Sequence, residues 1–167
     1  GADGVSPSAS NVTINLNAGD LTQTAGATFN GSGLELAAPG GITLNEANAI
    51  TTLAANVSGS GNAFQFTDAD GFATGSVGST DGVSTADGSI TLVATTGTLT
   101  VGEAGVANDI DAGTSTVSLT ASEDGGRVNI SLDADLEATG GVTVTSDIID
   151  IDGTITATGA VVTLQPE

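Results

Sequence analysis

The feature that most restricts what this chain can become is a short run that keeps returning. An aliphatic residue alternates with Thr, Ser, Asn or Gln over three to five positions, and a turn carrying Gly or Asp ends the run. Alternation with period two turns one set of side chains inward and the other toward water, the pattern of a half-buried β-strand. Such runs stand at 12–16, 34–36, 42–44 and 64–66. In the second half they crowd together, at 90–93, 99–101, 117–119, 128–132, 142–144, 149–151, 155–157 and 161–164. The turns between them read GG, DGG, TGG, DG and TG, and strands there begin about every 6 to 10 residues. No apolar stripe at helical spacing lasts three turns. The best helical candidate, NEANAITTLAA at 45–55, is interrupted by Ile50-Thr51-Thr52, a β-branched stretch that prefers a strand.

Two architectures fit such a pattern. One is an antiparallel sandwich or barrel; the other is a parallel β-helix with about three short strands and about 20 residues per coil. Four features favour the β-helix. The runs are short for a sandwich. Asn-Gly-type hairpin dipeptides are scarce, with Asn30-Gly31 the clear case. The sequence is quasi-repetitive. The inward residues are small and aliphatic, so each can stack on its equivalent in the next coil. The expectation is therefore an all-β chain in which residues 11–167 form one β-solenoid of about seven coils, a rod on the order of 35 Å long. Residues 1–10 read as a flexible tail or lead-in segment. A Gly/Ser/Asp-rich stretch near 67–88 reads as an irregular coil or a projecting loop.

Composition supports a folded chain and narrows its partners. Net charge is −19, from 20 acidic residues against one basic, yet 38% of residues are hydrophobic and mean hydropathy is +0.23. Disorder needs high charge together with low hydrophobicity, and the second condition fails. Only four Phe and no Trp or Tyr are present, which suits thin aliphatic layers better than a globular core. A chain with one cation offers nothing to neutralise phosphates, so no nucleic-acid partner is expected. Anionic membranes are disfavoured for the same reason. No run reaches the roughly 18 to 20 apolar residues of a spanning helix, so no membrane insertion is expected. Cysteine is absent, so no disulfide staples the fold.

Three strings resemble a known family: ITLNEANAITTLAANVSGSGNAFQF at 42–66, GSITLVATTGTLTV at 88–101 and DIDGTITATGAVVTLQP at 150–166. They are similar to the repeats of filamentous-haemagglutinin-type proteins. That resemblance implies a right-handed parallel β-helix exported by bacteria and displayed outside the cell or at its surface. It implies a fibrous shaft that carries adhesive parts, with no catalytic residues to transfer. The short length, the lack of Lys and the lack of large aromatics depart from the family.

The function expected on this reading is a structural subunit of an extracellular fibre or surface shaft. Open β-helix ends carry unpaired backbone groups, so copies of the chain are expected to stack end to end. Val12, Ile14 and Leu16 at one end and Val161, Val162 and Leu164 at the other are the expected stacking residues. The alternative is an adhesin module within a longer secreted chain.

Acidic pairs are candidate calcium ligands, because calcium takes six to eight oxygens. They are Asp68 with Asp70, Asp109 with Asp111, and Asp150 with Asp152. None completes an EF-hand loop, and a solvated Asp-rich turn competes with each as an explanation. No other cofactor is expected. Catalysis is not expected either. With no His, Lys or Cys, the one constellation for a polysaccharide-active β-helix is Arg127 with Asp133 and Asp135. The TxT motifs Thr98-Leu-Thr100, Thr143-Val-Thr145 and Thr154-Ile-Thr156 raise ice binding as a minor reading, against their irregular spacing and the ordinary preference of Thr for strands.

Overall fold

The computed structural model describes residues 10–102 and 109–167. Residues 1–9 of the lead-in segment lie outside the described residues. Among the described residues every regular element is a strand. In chain order they are β1 (Asn11–Asn15), β2 (Leu21–Thr22), β3 (Asn30–Ala38), β4 (Ile42–Val57), β5 (Phe64–Asp68), β6 (Phe72–Thr74) and β7 (Ser76–Val77). Next come β8 (Thr80–Asp81), β9 (Val83–Thr85), β10 (Ile90–Ala94), β11 (Thr98–Val101), β12 (Ile110–Asp111) and β13 (Val117–Ala121). The last are β14 (Arg127–Ile130), β15 (Asp135–Glu137), β16 (Val142–Thr145), β17 (Ile148–Ile151), β18 (Thr154–Thr156) and β19 (Val162–Gln165).

These strands stack in parallel as about seven coils of roughly 22 residues, a β-solenoid. A first ribbon runs β2, the start of β4, β5, β10, β13, β16 and β19. A second ribbon begins with β1, β3 and the rest of β4. From there it divides, one track through β6, β11, β14 and β17 and another through β9, β12, β15 and β18.

Register makes the core. On the first ribbon Ile42, Phe64, Ile90, Val117 and Val142 fall in one inward column, each at most 1% exposed. Leu44, Phe66, Leu92, Leu119 and Val144 fill the next column, all fully buried. Stacking apolar side chain on apolar side chain satisfies close packing with aliphatic residues and two Phe rings. Each such side chain contributes roughly 1.5 to 3 kcal/mol by leaving water. The rings of Phe66 and Phe72 meet edge to face, 5.1 Å apart at 77°, and bring the two ribbons together.

The segment 45–55, a weak helical candidate by sequence, lies within the long strand β4. Its register slips between Leu44 and Asn48, where the chain turns from the first ribbon to the second. Asn48 is fully buried in that bend. Its side-chain amide donates to the carbonyls of Leu44 and Thr67 at 3.2 and 2.9 Å, and its Oδ1 accepts the Phe29 N–H at 2.9 Å. A bulge frees backbone groups from the ladder, and this side chain satisfies them from inside the coil.

The stretch 67–88 holds a coil with an added hairpin. β6 and β9 keep the stack, while β7 and β8 between them pair antiparallel. Gly78, at φ +63°, is the first residue of the two-residue turn between Val77 and Thr80; glycine is the residue that reaches this region without strain. The hairpin lies back across the outer side of β3 and β4. Glu35 and Ala54 point outward yet are buried, at 8% and 0% exposure. A Cβ on Gly33 would stand 3.0 Å from Val77 Cγ1, so the absent side chain is what lets Val77 settle.

Candidate functional site

Each expected calcium ligand has a defined place. Asp68 ends β5 with its side chain in the coil interior, fully buried. One carboxylate oxygen accepts the Ile50 N–H at 3.0 Å and the other accepts the Asp70 N–H at 3.1 Å. Burial, with the neighbouring Asp70 carboxylate adding to it, pushes the Asp68 acid up to about 7, against the two backbone donors that favour its charged form. Asp70 is exposed beside it. Asp109 accepts the Asp135 N–H at 3.1 Å, and Asp111 accepts the Gly113 N–H at 2.8 Å. Asp150 pairs with Arg127 at 3.2 Å, and Asp152 lies exposed on the turn before β18. Among the described residues no three acidic side chains converge as a metal group. The acids act largely as local acceptors that tie one turn to the next.

Arg127, Asp133 and Asp135 are not joined by an ion pair; the arginine's partner is Asp150. A shallow groove of about 430 Å³ opens beside Asp70, lined also by Thr51, Gly71, Phe72, Thr98 and Thr100. It contains one exposed acid. A general acid must reach the proton it transfers, and the acid poised near neutrality, Asp68, is sealed beneath the surface.

Among the described residues, the last coil leaves inward columns uncovered. In the last coil Ile151, Val162 and Leu164 are 40%, 39% and 49% exposed, although the residues they stack on are buried. Val161 precedes β19 and is 71% exposed. At the other end Val12, Ile14, Leu16 and Leu21 are partly buried against the core. β1 belongs to the second ribbon and β19 to the first. A coaxial neighbour would therefore continue β17 and β18 onto β1, and β19 onto β2. The direct pairing of β1 with β19 expected from sequence joins strands of different ribbons.

The surface is divided by charge. On the first ribbon's outer side one column runs Thr43, Gln65, Thr91, Ser118, Thr143 and Thr163. The column two residues along runs Thr67, Val93, Thr120, Thr145 and Gln165. Neither contains a charge. The second ribbon mixes charged and neutral positions: Asp111 stacks on Glu137, and a column of Ala73, Thr100 and Asn129 ends at Asp150. The TxT motifs visible in the sequence separate accordingly. Thr98 and Thr100 stack on Arg127 and Asn129, and Thr154 and Thr156 on Asp135 and Glu137. Thr143 and Thr145 alone among them belong to the neutral array.

Fold and surface define a parallel β-solenoid that carries charges among the outer residues of one ribbon and none in the two outer columns of the other. Searches against protein-family models, curated proteins and solved structures found no match.

Proposed function

We propose that this chain is a structural shaft element of an extracellular bacterial assembly, its last coil continued coaxially by a coil of another copy. The observation that carries the reading is the uncovered inward column of the last coil, Ile151, Val162 and Leu164, in line with columns that are buried everywhere deeper in the rod. Covering them with a further coil removes apolar surface from water and pairs the free edge strands, two gains from one contact. A head-to-tail contact of this kind repeats without closing, so it builds a filament. The extracellular setting rests on the resemblance of 42–66, 88–101 and 150–166 to haemagglutinin-type repeats.

Like charge opposes the joint, since each copy carries −19. Salt shortens the reach of that repulsion to about 8 Å at physiological ionic strength. The test is sedimentation of the purified chain across concentration and salt. Species that lengthen with both support the reading, and a monomer throughout refutes it.

A further inference from the structure

We infer that the neutral outer face of the first ribbon is a binding surface for ice. The inference is independent of end-to-end stacking and stands on register, charge and area.

Register lays polar side chains on a fixed grid. Along a column they repeat at the strand spacing of ~4.8 Å, and across the two columns at the two-residue rise of ~6.6 Å. The parallel ladders hold this spacing from Thr43 to Thr163 without an inserted residue in either column beyond β5. Three successive rungs in the middle carry only small side chains: Thr91 with Val93, Ser118 with Thr120, and Thr143 with Thr145. Thr is stiff at χ1, so its hydroxyl and methyl hold position. A hydroxyl both donates and accepts, as each molecule of an ice lattice requires.

Charge is excluded from this grid in a chain that has 20 acids. An ion holds its own hydration shell and would interrupt a water lattice; a neutral hydroxyl and methyl grid can be continued by one. Asp68, the one acid within the first ribbon's strands, faces inward. At the ribbon's edges Glu46, Asp20 and Asp147 accept the Gly26, Gly41 and Gly125 N–H groups, each at 2.8 Å.

Area and composition argue against other occupants. Six rungs in the longer column give a face about 24 Å by about 14 Å, roughly 340 Å². A standard protein complex buries about 800 Å² on each partner. Sugar surfaces are commonly gripped by exposed aromatic rings, and here Phe64, Phe66 and Phe72 are buried while Phe29 packs against the core. An extended solid needs neither, because many weak contacts at matching spacing act together.

The experiment grows ice slowly from a solution of the chain and measures how much protein is carried into the solid. Thr143→Lys places a charge in the grid, and Thr100→Lys places one on the other ribbon; circular dichroism and thermal melting check that both fold. The expected result is uptake of the unaltered chain and of Thr100→Lys, with uptake lost in Thr143→Lys. Exclusion of the unaltered chain from ice overturns the inference by itself, whether or not either variant folds. So does uptake that Thr100→Lys abolishes and Thr143→Lys leaves intact. Binding to powdered cellulose or chitin, or pairing in solution that Thr143→Lys removes, in the absence of ice uptake, also overturns it in favour of a polysaccharide or a second copy.

Discussion

The Glu35 carboxylate accepts the backbone N–H of Ser79 at 2.8 Å, across 44 residues of sequence. The same oxygen accepts the hydroxyls of Ser79 and Thr80, each at 3.0 Å, and the other accepts Thr13 Oγ1 at 2.9 Å. Two early coils and the later hairpin thus converge on one side chain. These donors hold the Glu35 acid below its ordinary value, the Ser79 N–H contributing most.

Replacing this group should free the hairpin and leave the rod standing. Glu35→Ala is expected to destabilise the hairpin's docking by about 1.5 to 3 kcal/mol, the range for hydrogen bonds to a charged group. Hydrogen exchange should rise at 76–81 and stay slow in β10 and β13. Because the folded-state value is depressed, this stabilisation is present above the ordinary glutamate range and is lost as pH falls through the lowered value. The difference between the unaltered chain and the variant should therefore shrink in acid. A variant whose hairpin exchanges no faster at neutral pH would refute the docking role.

Asp68 has the opposite sign. Its folded-state value, about 7, lies above the ordinary 3.8, so its contribution is full below about 4 and is lost as pH rises toward 7. Denaturant unfolding of the native chain between pH 5.5 and pH 7.5 should show falling stability, with a slope of at most about 1.4 kcal/mol per pH unit from this group. Asp68→Asn cannot titrate and should flatten that slope, whatever it does to overall stability. An unchanged slope in the variant would assign the pH dependence elsewhere.

Much of this architecture was legible in the sequence. The alternating runs at 90–93, 117–119 and 142–144 name their own inward residues, and the turn glycines mark where coils bend. Register was not legible, because short β-branched runs look alike and any of several could stack on another. The neutral ribbon appears only when Thr91, Ser118 and Thr143 are placed on one column, and the TxT motifs looked scattered because they belong to different faces. Asp68 and Asp70 read as a surface pair, but period two from Phe64 and Phe66 puts Asp68 inside, a signal present in the letters. The Gly78-Ser79 turn was likewise available as a hairpin cue and was hidden within a polar stretch.

Position along the rod should decide the cost of a lost leucine. Leu92 is fully buried between Phe66 and Leu119, whereas Leu164, in the same column, is 49% exposed. Leu92→Ala is expected to cost about 2 to 5 kcal/mol, as buried leucines do. Leu164→Ala should cost well under half of that in the monomer. Chemical denaturation of both variants reads the difference, and equal losses would contradict the stacked-column account.

The measurement that bears most directly on the shaft reading is sedimentation velocity of the unaltered chain, with negative-stain microscopy of the same samples, at low and high salt. The account predicts linear particles that lengthen with concentration and salt, and their loss in Leu164→Asp, which puts a charge on the uncovered column. Particles of one short length at every concentration and salt would contradict it.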